Sequence, residues 1–349
     1  MSETMHAAVL EATGPATNLR WQSVPKPEAS PGHVIVKVEA CAVAHRDLIE
    51  RRGGHPLLRA PIIQGHEFAG EIVACGPEVK RWRPGDRVVN LYTDSCGICA
   101  QCLGGDERRC RNVSEAYGLI NDGGYAEYVR VAERALEVLP EDITYEAAAT
   151  LMSACGVGYH NTLHTAGVSI GDHVLITGAS GGVGVGALQT AKLLGATVWA
   201  VTSSPHKQRA LEALGADHVI HNSDGRFHKT VLAMLAERGG SGVDVAIDCV
   251  GTPTLNGSLR ALRPYGKVVV VGNVDGQTYP LNLGLLAVNA LQLLGSDNIT
   301  RASLRQVMQL VSARKLMPII DQVLPMRDAA KAHQLLEQRG AFGRIVLVP

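Results

Sequence analysis

Cys96, Cys99, Cys102 and Cys110 form the pattern C-x2-C-x2-C-x7-C within LYTDSCGICAQCLGGDERRC. Thiolates at that spacing can converge on one tetrahedral Zn²⁺ and leave it no open position, so they predict a structural metal rather than a catalytic one. Half of the chain's eight cysteines lie in these fifteen residues, which separates them from scattered core or disulfide cysteines. The second chemical feature is the turn Thr177-Gly178-Ala179-Ser180-Gly181-Gly182-Val183-Gly184. It follows an apolar strand pattern and opens a helical one, the context in which such glycines bind a dinucleotide. Without side chains the backbone approaches the pyrophosphate closely, and the free N–H groups of the helix N-terminus bind it.

An acidic residue closing the second strand would mark NAD, because it accepts from the ribose 2′-hydroxyl. Here that strand, within ATVWAVTSSPHKQR, closes on Thr202, Ser203 and Ser204, with Lys207 and Arg209 following. Hydroxyls and a cation suit a 2′-phosphate, so NADP(H) is the expected cofactor. Val250, in DCVG, and Gly272 with Asn273, in GNV, close later strands at the sheet edge where ligands of open α/β sheets bind.

These residues need two kinds of scaffold. HVIVKVEA (33–40), FAGEIVACG (68–76) and DRVVNLY (86–92) read as short strands of an all-β first domain, about residues 1–150. The cysteine lobe, about 93–112, interrupts it. From about 145 the texture changes to a helical stretch through Gly167, then alternating strand and helix over 151–292. Continuous apolar runs such as VLIT, VAID and VVVVG suit a parallel sheet covered on both faces, and the alternation implies a doubly wound α/β fold. Residues 293–349 read helix, helix, strand.

The length of 349 residues favours two domains. The 33 basic and 33 acidic residues balance, and no basic stripe argues for nucleic acid or an anionic membrane. No apolar run reaches the roughly 18 residues of a spanning helix. The N-terminus does not read as a signal peptide, and reduced thiolates holding zinc suit a cytoplasmic location.

GHEFAGEIVACG (65–76), GDRVV (85–89), the four-cysteine lobe, GGYAEYV (123–129), GASGGVG (178–184) and LGAD (214–217) occur in order along the chain. Together they resemble the medium-chain dehydrogenase/reductase superfamily over essentially the whole length. The resemblance implies a GroES-like β-barrel catalytic domain, a Rossmann domain, and a C-terminal segment that returns to the catalytic domain. It also implies an active site between domains, with loops 51–60 and 297–301 among its walls.

Zinc alcohol dehydrogenases of that superfamily hold a second, catalytic zinc on a Cys near a conserved Asp, the His of GHE, and a Cys early in the nucleotide domain. CAVAHRDL (41–48) places Asp47 at the motif's Asp, which leaves Ala44 at the first Cys position and Arg46 at the usual Ser/Thr relay position. Ala154 falls at the second, with Cys155 beside it. Alanine cannot ligate, and His66 with Glu67 alone falls short of the usual three protein ligands. One structural zinc and no catalytic zinc are therefore expected.

Without that Lewis acid, the resemblance points to the enoyl- and quinone-reductase-like branches, and within them to acryloyl-CoA reductases. The stretches VGTPTLNGSL (250–259), GNVDGQTYPLNLG (272–284) and GRIVLVP (343–349) carry this. The expected reaction is hydride transfer from NADPH to the β-carbon of an α,β-unsaturated carbonyl compound, a CoA ester being one candidate. His45, Arg46, Asp47 and His66 are the candidate catalytic residues, with Tyr92 and Asn90 behind them. Two alternatives stand beside this: an alcohol dehydrogenase with zinc on His66, Glu67 and Cys155, and a non-catalytic NADP-binding relative. A homodimer or homotetramer is expected, with 278–296 supplying an edge strand.

Overall fold

In the computed structural model, which describes residues 3–296 and 298–349, six strands pair in parallel, and the central ones carry apolar runs. They are His173–Thr177, Thr197–Thr202, His218–His221, Val243–Asp248, Leu262–Val270 and Gln292–Gly295. Val174, Leu175, Ile176, Val198, Trp199, Ala200, Ala246, Ile247, Val268 and Val269 are fully buried, as strands covered on both faces must be. In chain order the strands lie 3-2-1-4-5-6 across the sheet, the doubly wound dinucleotide-binding order. The sheet therefore reverses between the first and fourth strands, beside the Gly178–Gly184 turn. Asp297, in one expected pocket loop, lies outside the described residues.

This sheet belongs to a compact unit of Ser153–Ile299 and Lys315–Met317. The other unit comprises Met1–Met152, Thr300–Arg314 and Pro318–Pro349. Its main sheet centres on the long strand His33–Val43, antiparallel to Phe68–Cys75 and Tyr128–Ala132. The C-terminal strand Arg344–Val348 joins the same sheet, pairing Ile345 with Val43 and Leu347 with Cys41. The strand Ile320–Pro325 then adds in parallel at its edge. It was not legible in the sequence, because it is half exposed and ends in proline.

The stretch expected as one helix to Gly167 is different. Short α segments, Tyr145–Ala148 and Val157–His160, alternate with π segments, Leu151–Gly156 and Asn161–Thr165. Side chains bond backward along it: Asn161 Nδ2 donates to the Val157 carbonyl at 2.9 Å and Thr162 Oγ1 to that of Gly158 at 2.8 Å. Such bonds compete with the regular ladder and widen it locally.

Candidate active site and zinc lobe

The cysteine lobe is closed at its neck by a two-stranded ladder, Thr93–Asp94 against Glu115–Ala116. The buried Asp94 carboxylate ties it down, accepting from Ser114 Oγ at 2.6 Å and from Arg134 at 2.9 and 3.2 Å. All four sulfurs lie within 4.8 Å of one another. Cys99–Cys102 is 3.5 Å, Cys99–Cys110 3.9 Å and Cys96–Cys102 4.0 Å. Sulfurs at about 2.3 Å from a tetrahedral zinc stand about 3.8 Å apart, so this donor set fits the ion. The backbone N–H groups of Ile98 and Cys99 draw the Cys96 thiol down to about 6, whereas burial and the Cys99 sulfur push that of Cys102 up to about 12. The Cys96 and Asn112 N–H groups both point at Cys110 Sγ, each at 3.4 Å.

The nucleotide turn is built by close approach. Gly178 adopts φ +59°, and a Cβ on Gly184 would stand 2.4 Å from the Gly178 carbonyl oxygen. Only glycine lets the helix Gly182–Leu193, capped by Gly181, start that near the strand ending at Thr177. Ser180 and Val183 lie in this strand-to-helix turn. Thr202 is buried and its Oγ1 accepts from the Ser204 N–H at 3.1 Å, setting the turn that carries Ser203. Lys207 is only 6% exposed. It is not a solvated helix charge.

Val250 lies next to Gly178, and its N–H donates to the carboxylate of Asp248. That fully buried carboxylate also accepts from Gly251 N at 2.8 Å, Thr254 Oγ1 at 2.7 Å and Ser258 Oγ at 2.6 Å. Asp248 thus shapes the turn that presents Val250. Gly272 sits against the Cys249 carbonyl, where a Cβ would clash at 2.6 Å, and Asn273 accepts from Thr252 Oγ1.

In the other unit a second polar cluster is assembled from four distant segments. The helix His45–Arg51 starts after Ala44, whose N–H donates to Asp47 Oδ2 at 2.8 Å. Asp47 Oδ1 accepts from His66 Nδ1 at 2.8 Å, and Oδ2 also accepts from the Tyr125 hydroxyl at 3.2 Å. The Tyr125 oxygen in turn meets His333 Nε2 at 3.2 Å. Because Tyr125 gives its hydrogen to the carboxylate, His333 must be the donor in that last bond. Gly65 makes the packing feasible, since a Cβ there would lie 2.5 Å from the Tyr125 ring.

Burial opposes the Asp47 charge, but His66 and His333 outweigh it and hold the carboxyl below its ordinary range. Asp47 is fully buried and engaged by three donors, among them His66 and the N–H that starts the helix. His45 and Arg46 are half-buried at the first turn of that helix. Arg46 Nε donates to Glu50 Oε1 at 2.6 Å, its Nη2 donates to the Tyr92 hydroxyl, and its guanidinium lies 3.9 Å over the Tyr92 ring. Tyr92 faces the edge of His66, with ring centroids 5.7 Å apart at 89°. The sequence-chosen residues Arg46, Asp47 and His66 therefore belong to one cluster. Glu50, Tyr125 and His333 were missed; Tyr125 lay inside a quoted motif, Glu50 stood four residues from Arg46, and His333 carried no local signal.

Burial pushes the His333 imidazole down to about 4. A folded-state value below the ordinary 6.5 makes the unfolded chain bind the extra proton first. Stability should thus be complete above pH 6.5 and fall, by on the order of 3 kcal/mol, as the pH drops toward 4. Urea unfolding at several pH values checks this: His333→Gln, which keeps a donor for Tyr125, should flatten the slope between pH 6.5 and 4.5. Parallel wild-type and variant slopes would remove His333 from the acid response.

Comparison with known proteins now bears on this arrangement. Residues 30–141 match the alcohol dehydrogenase GroES-like domain family, and residues 182–313 match the zinc-binding dehydrogenase family. An acryloyl-coenzyme A reductase of Sulfurisphaera tokodaii is 32% identical over 337 residues, covering 96% of this chain and 98% of that protein. The chain belongs to the medium-chain dehydrogenase/reductase superfamily. Within this superfamily it is also 32% identical to an alcohol dehydrogenase of Geobacillus stearothermophilus, over 98% of this chain and 99% of that protein. The crystal structure of AibC superposes with a TM-score of 0.90 at 40% identity, over 100% of this chain and 97% of that one. The GroES-like and Rossmann folds expected from the motifs are those observed. No helix among the described residues is long and apolar enough to cross a membrane.

Proposed function

We propose that this oxidoreductase is an NADPH-dependent enoyl or enone reductase that works without a catalytic zinc. The observation that carries this is Ala44. At the position where zinc-dependent relatives place a cysteine ligand, the chain has a buried methyl group, 2% exposed, whose backbone caps a helix. His66 bonds Asp47 through Nδ1, which leaves Nε2 as its single possible metal donor, short of a ligand set by itself. Ala154, at the other cysteine position, is equally buried. A carbonyl would lack Lewis-acid polarisation, whereas a conjugated C=C is activated by its own carbonyl. The similarity to acryloyl-CoA reductases supports reduction of a conjugated C=C bond and makes a CoA ester one candidate substrate.

Bound NADPH supplies the hydride. The turn Thr177–Gly184 would hold its pyrophosphate, and Thr202, Ser203, Ser204 and Lys207 would meet the 2′-phosphate. Val250, Gly272 and Asn273 would border the nicotinamide end. In the other unit, His45 and Arg46 would donate to the enolate oxygen that develops after hydride transfer. The exposed Leu283, Val288 and Leu293, on and beside the edge strand Gln292–Gly295, suit pairing with a second copy in a homo-oligomer.

The test is NADPH and NADH consumption, with product identification, on acryloyl-CoA, simple enones and saturated aldehydes. Saturated C–C products with intact carbonyls, formed faster with NADPH, are expected. Alcohol products together with two zincs per chain would establish the second reading, a dehydrogenase with zinc on His66, Glu67 and Cys155, which the similarity to alcohol dehydrogenases favours.

A further inference from the structure

The enolate left by hydride transfer needs a proton, and the cluster around Arg46 shows which group is built to supply it. The strand Arg87–Asn90 ends in a buried asparagine. Asn90 accepts from the Phe68 N–H at 2.7 Å and donates to the carbonyls of His66 at 2.9 Å and Leu91 at 3.1 Å. These bonds fix the backbone just before Tyr92 and seat the phenol against His66. From the opposite side, the helix His45–Arg51 presents Arg46 and Glu50 one turn apart, so their side chains meet.

Arg46, with its side chain 39% exposed, reaches solvent, whereas Glu50 beneath it is 1% exposed and Tyr92 8%. The phenol oxygen accepts from Arg46 Nη2. Its own hydrogen meets no acceptor among the described residues, so it is left to be given away. Burial raises the phenol to about 12, against the pull of Arg46, so Tyr92 is fully protonated at neutral pH. Glu50 Oε1 holds Arg46 Nε, which orients the guanidinium so that Nη2 faces the phenol. His66 is the poorer donor, because its Nδ1 hydrogen is committed to Asp47.

We propose that Tyr92 is the catalytic acid of this reductase, with Arg46 as the cation that holds its phenolate and Glu50 as the residue that positions Arg46. This rests on the enoyl-reductase reading above. Hydride addition places two electrons in a new C–H bond at the β-carbon, and the C=C pair moves toward the carbonyl to give the enolate. The Tyr92 O–H bond then breaks and its proton bonds to the α-carbon. The pair left on the phenolate oxygen is held by Arg46 Nη2–H, and a proton from solvent restores the phenol.

The test follows reduction of an α-methyl-substituted enoyl substrate in D₂O, with the configuration of deuterium at the α-carbon read by NMR. Wild-type protein should give one α-configuration. Tyr92→Phe should lower kcat about 100-fold, within the range of acid–base terms, change KM less than threefold, and lose the facial preference as water becomes the acid. Its NADPH affinity, read by nucleotide fluorescence, should stay at the wild-type value. Arg46→Met keeps the phenol, so kcat should fall about 10-fold while the single configuration persists. Glu50→Gln should behave like a milder Arg46→Met. A Tyr92→Phe protein that keeps kcat within twofold and the single configuration would overturn the assignment. A wild-type protein that forms no saturated product would overturn the reductase reading itself and this assignment with it.

Discussion

Removal of zinc from the four-cysteine lobe, by chelation or by combined Cys99→Ser and Cys102→Ser substitution, lowers the melting temperature by roughly 10 °C. The physical reason is charge and connectivity. Cys96 is biased toward thiolate by backbone N–H groups, and its sulfur sits 4.0 Å from that of Cys102. Four sulfurs packed this closely fit a dication and would have nothing to hold them together without one. The lobe has little else: Ile98 and Leu103 are 79% and 76% exposed, so apolar burial cannot replace the metal.

The loss would not stay local. Glu107, between Cys102 and Cys110, accepts from the N–H of Arg301 at the start of the helix Arg301–Ser312. Arg301 in turn bonds the Leu136 carbonyl at 2.9 Å and the buried Glu137. Arg81 and Arg305 converge on the same carboxylate. A cost of about 4 kcal/mol, at roughly 2–4 °C per kcal/mol for a unit of about 200 residues such as the one that carries the lobe, gives the expected shift. Metal analysis beside differential scanning fluorimetry checks it. A zinc-free protein that melts at the wild-type temperature would show that the cysteines do not act as a metal site for stability.

The second large effect concerns the nucleotide turn. Gly184→Val should weaken NADPH binding at least 100-fold while the circular dichroism spectrum stays close to wild type. Its Cβ would stand 2.4 Å from the Gly178 carbonyl and 2.7 Å from Ala179 Cα, both backbone atoms with no side-chain freedom to yield. The helix start must then move away from the strand end at Thr177, and the N–H groups aimed at the pyrophosphate move with it. Gly340→Ala, at an exposed position with open space around it, serves as the control. Fluorescence titration reads the affinity. Binding within threefold of wild type would mean that the pyrophosphate is held elsewhere.

The zinc lobe and the nucleotide turn were legible in the sequence because each is local. Four ligands within fifteen residues, or a glycine series between a strand and a helix, carry their geometry in their spacing. The parallel sheet was legible too, since burial on both faces imposes apolar runs such as VLIT. The absence of cysteine at positions 44 and 154 could also be read, because alanine has no donor atom whatever surrounds it.

The catalytic candidates were different. Arg46, Asp47 and His66 could be named from motifs, but their partners could not. His333 stands 208 residues from Tyr125, and only the return of the C-terminal segment to the first unit brings the two rings together. Asp47 could be named from its motif, but its three donors could not. Arg46 reads as a candidate catalytic residue, and its bonds to Glu50 and Tyr92 appear only in the fold. Lys207 reads as a cation for a 2′-phosphate, and its burial could not be read. What the sequence by itself determined was the set of local devices and the fold that carries them. Which donor meets which acceptor, and so which side chain still has a proton to give, was decided only in the tertiary structure, because hydrogen-bond partners converge from distant segments that no spacing encodes.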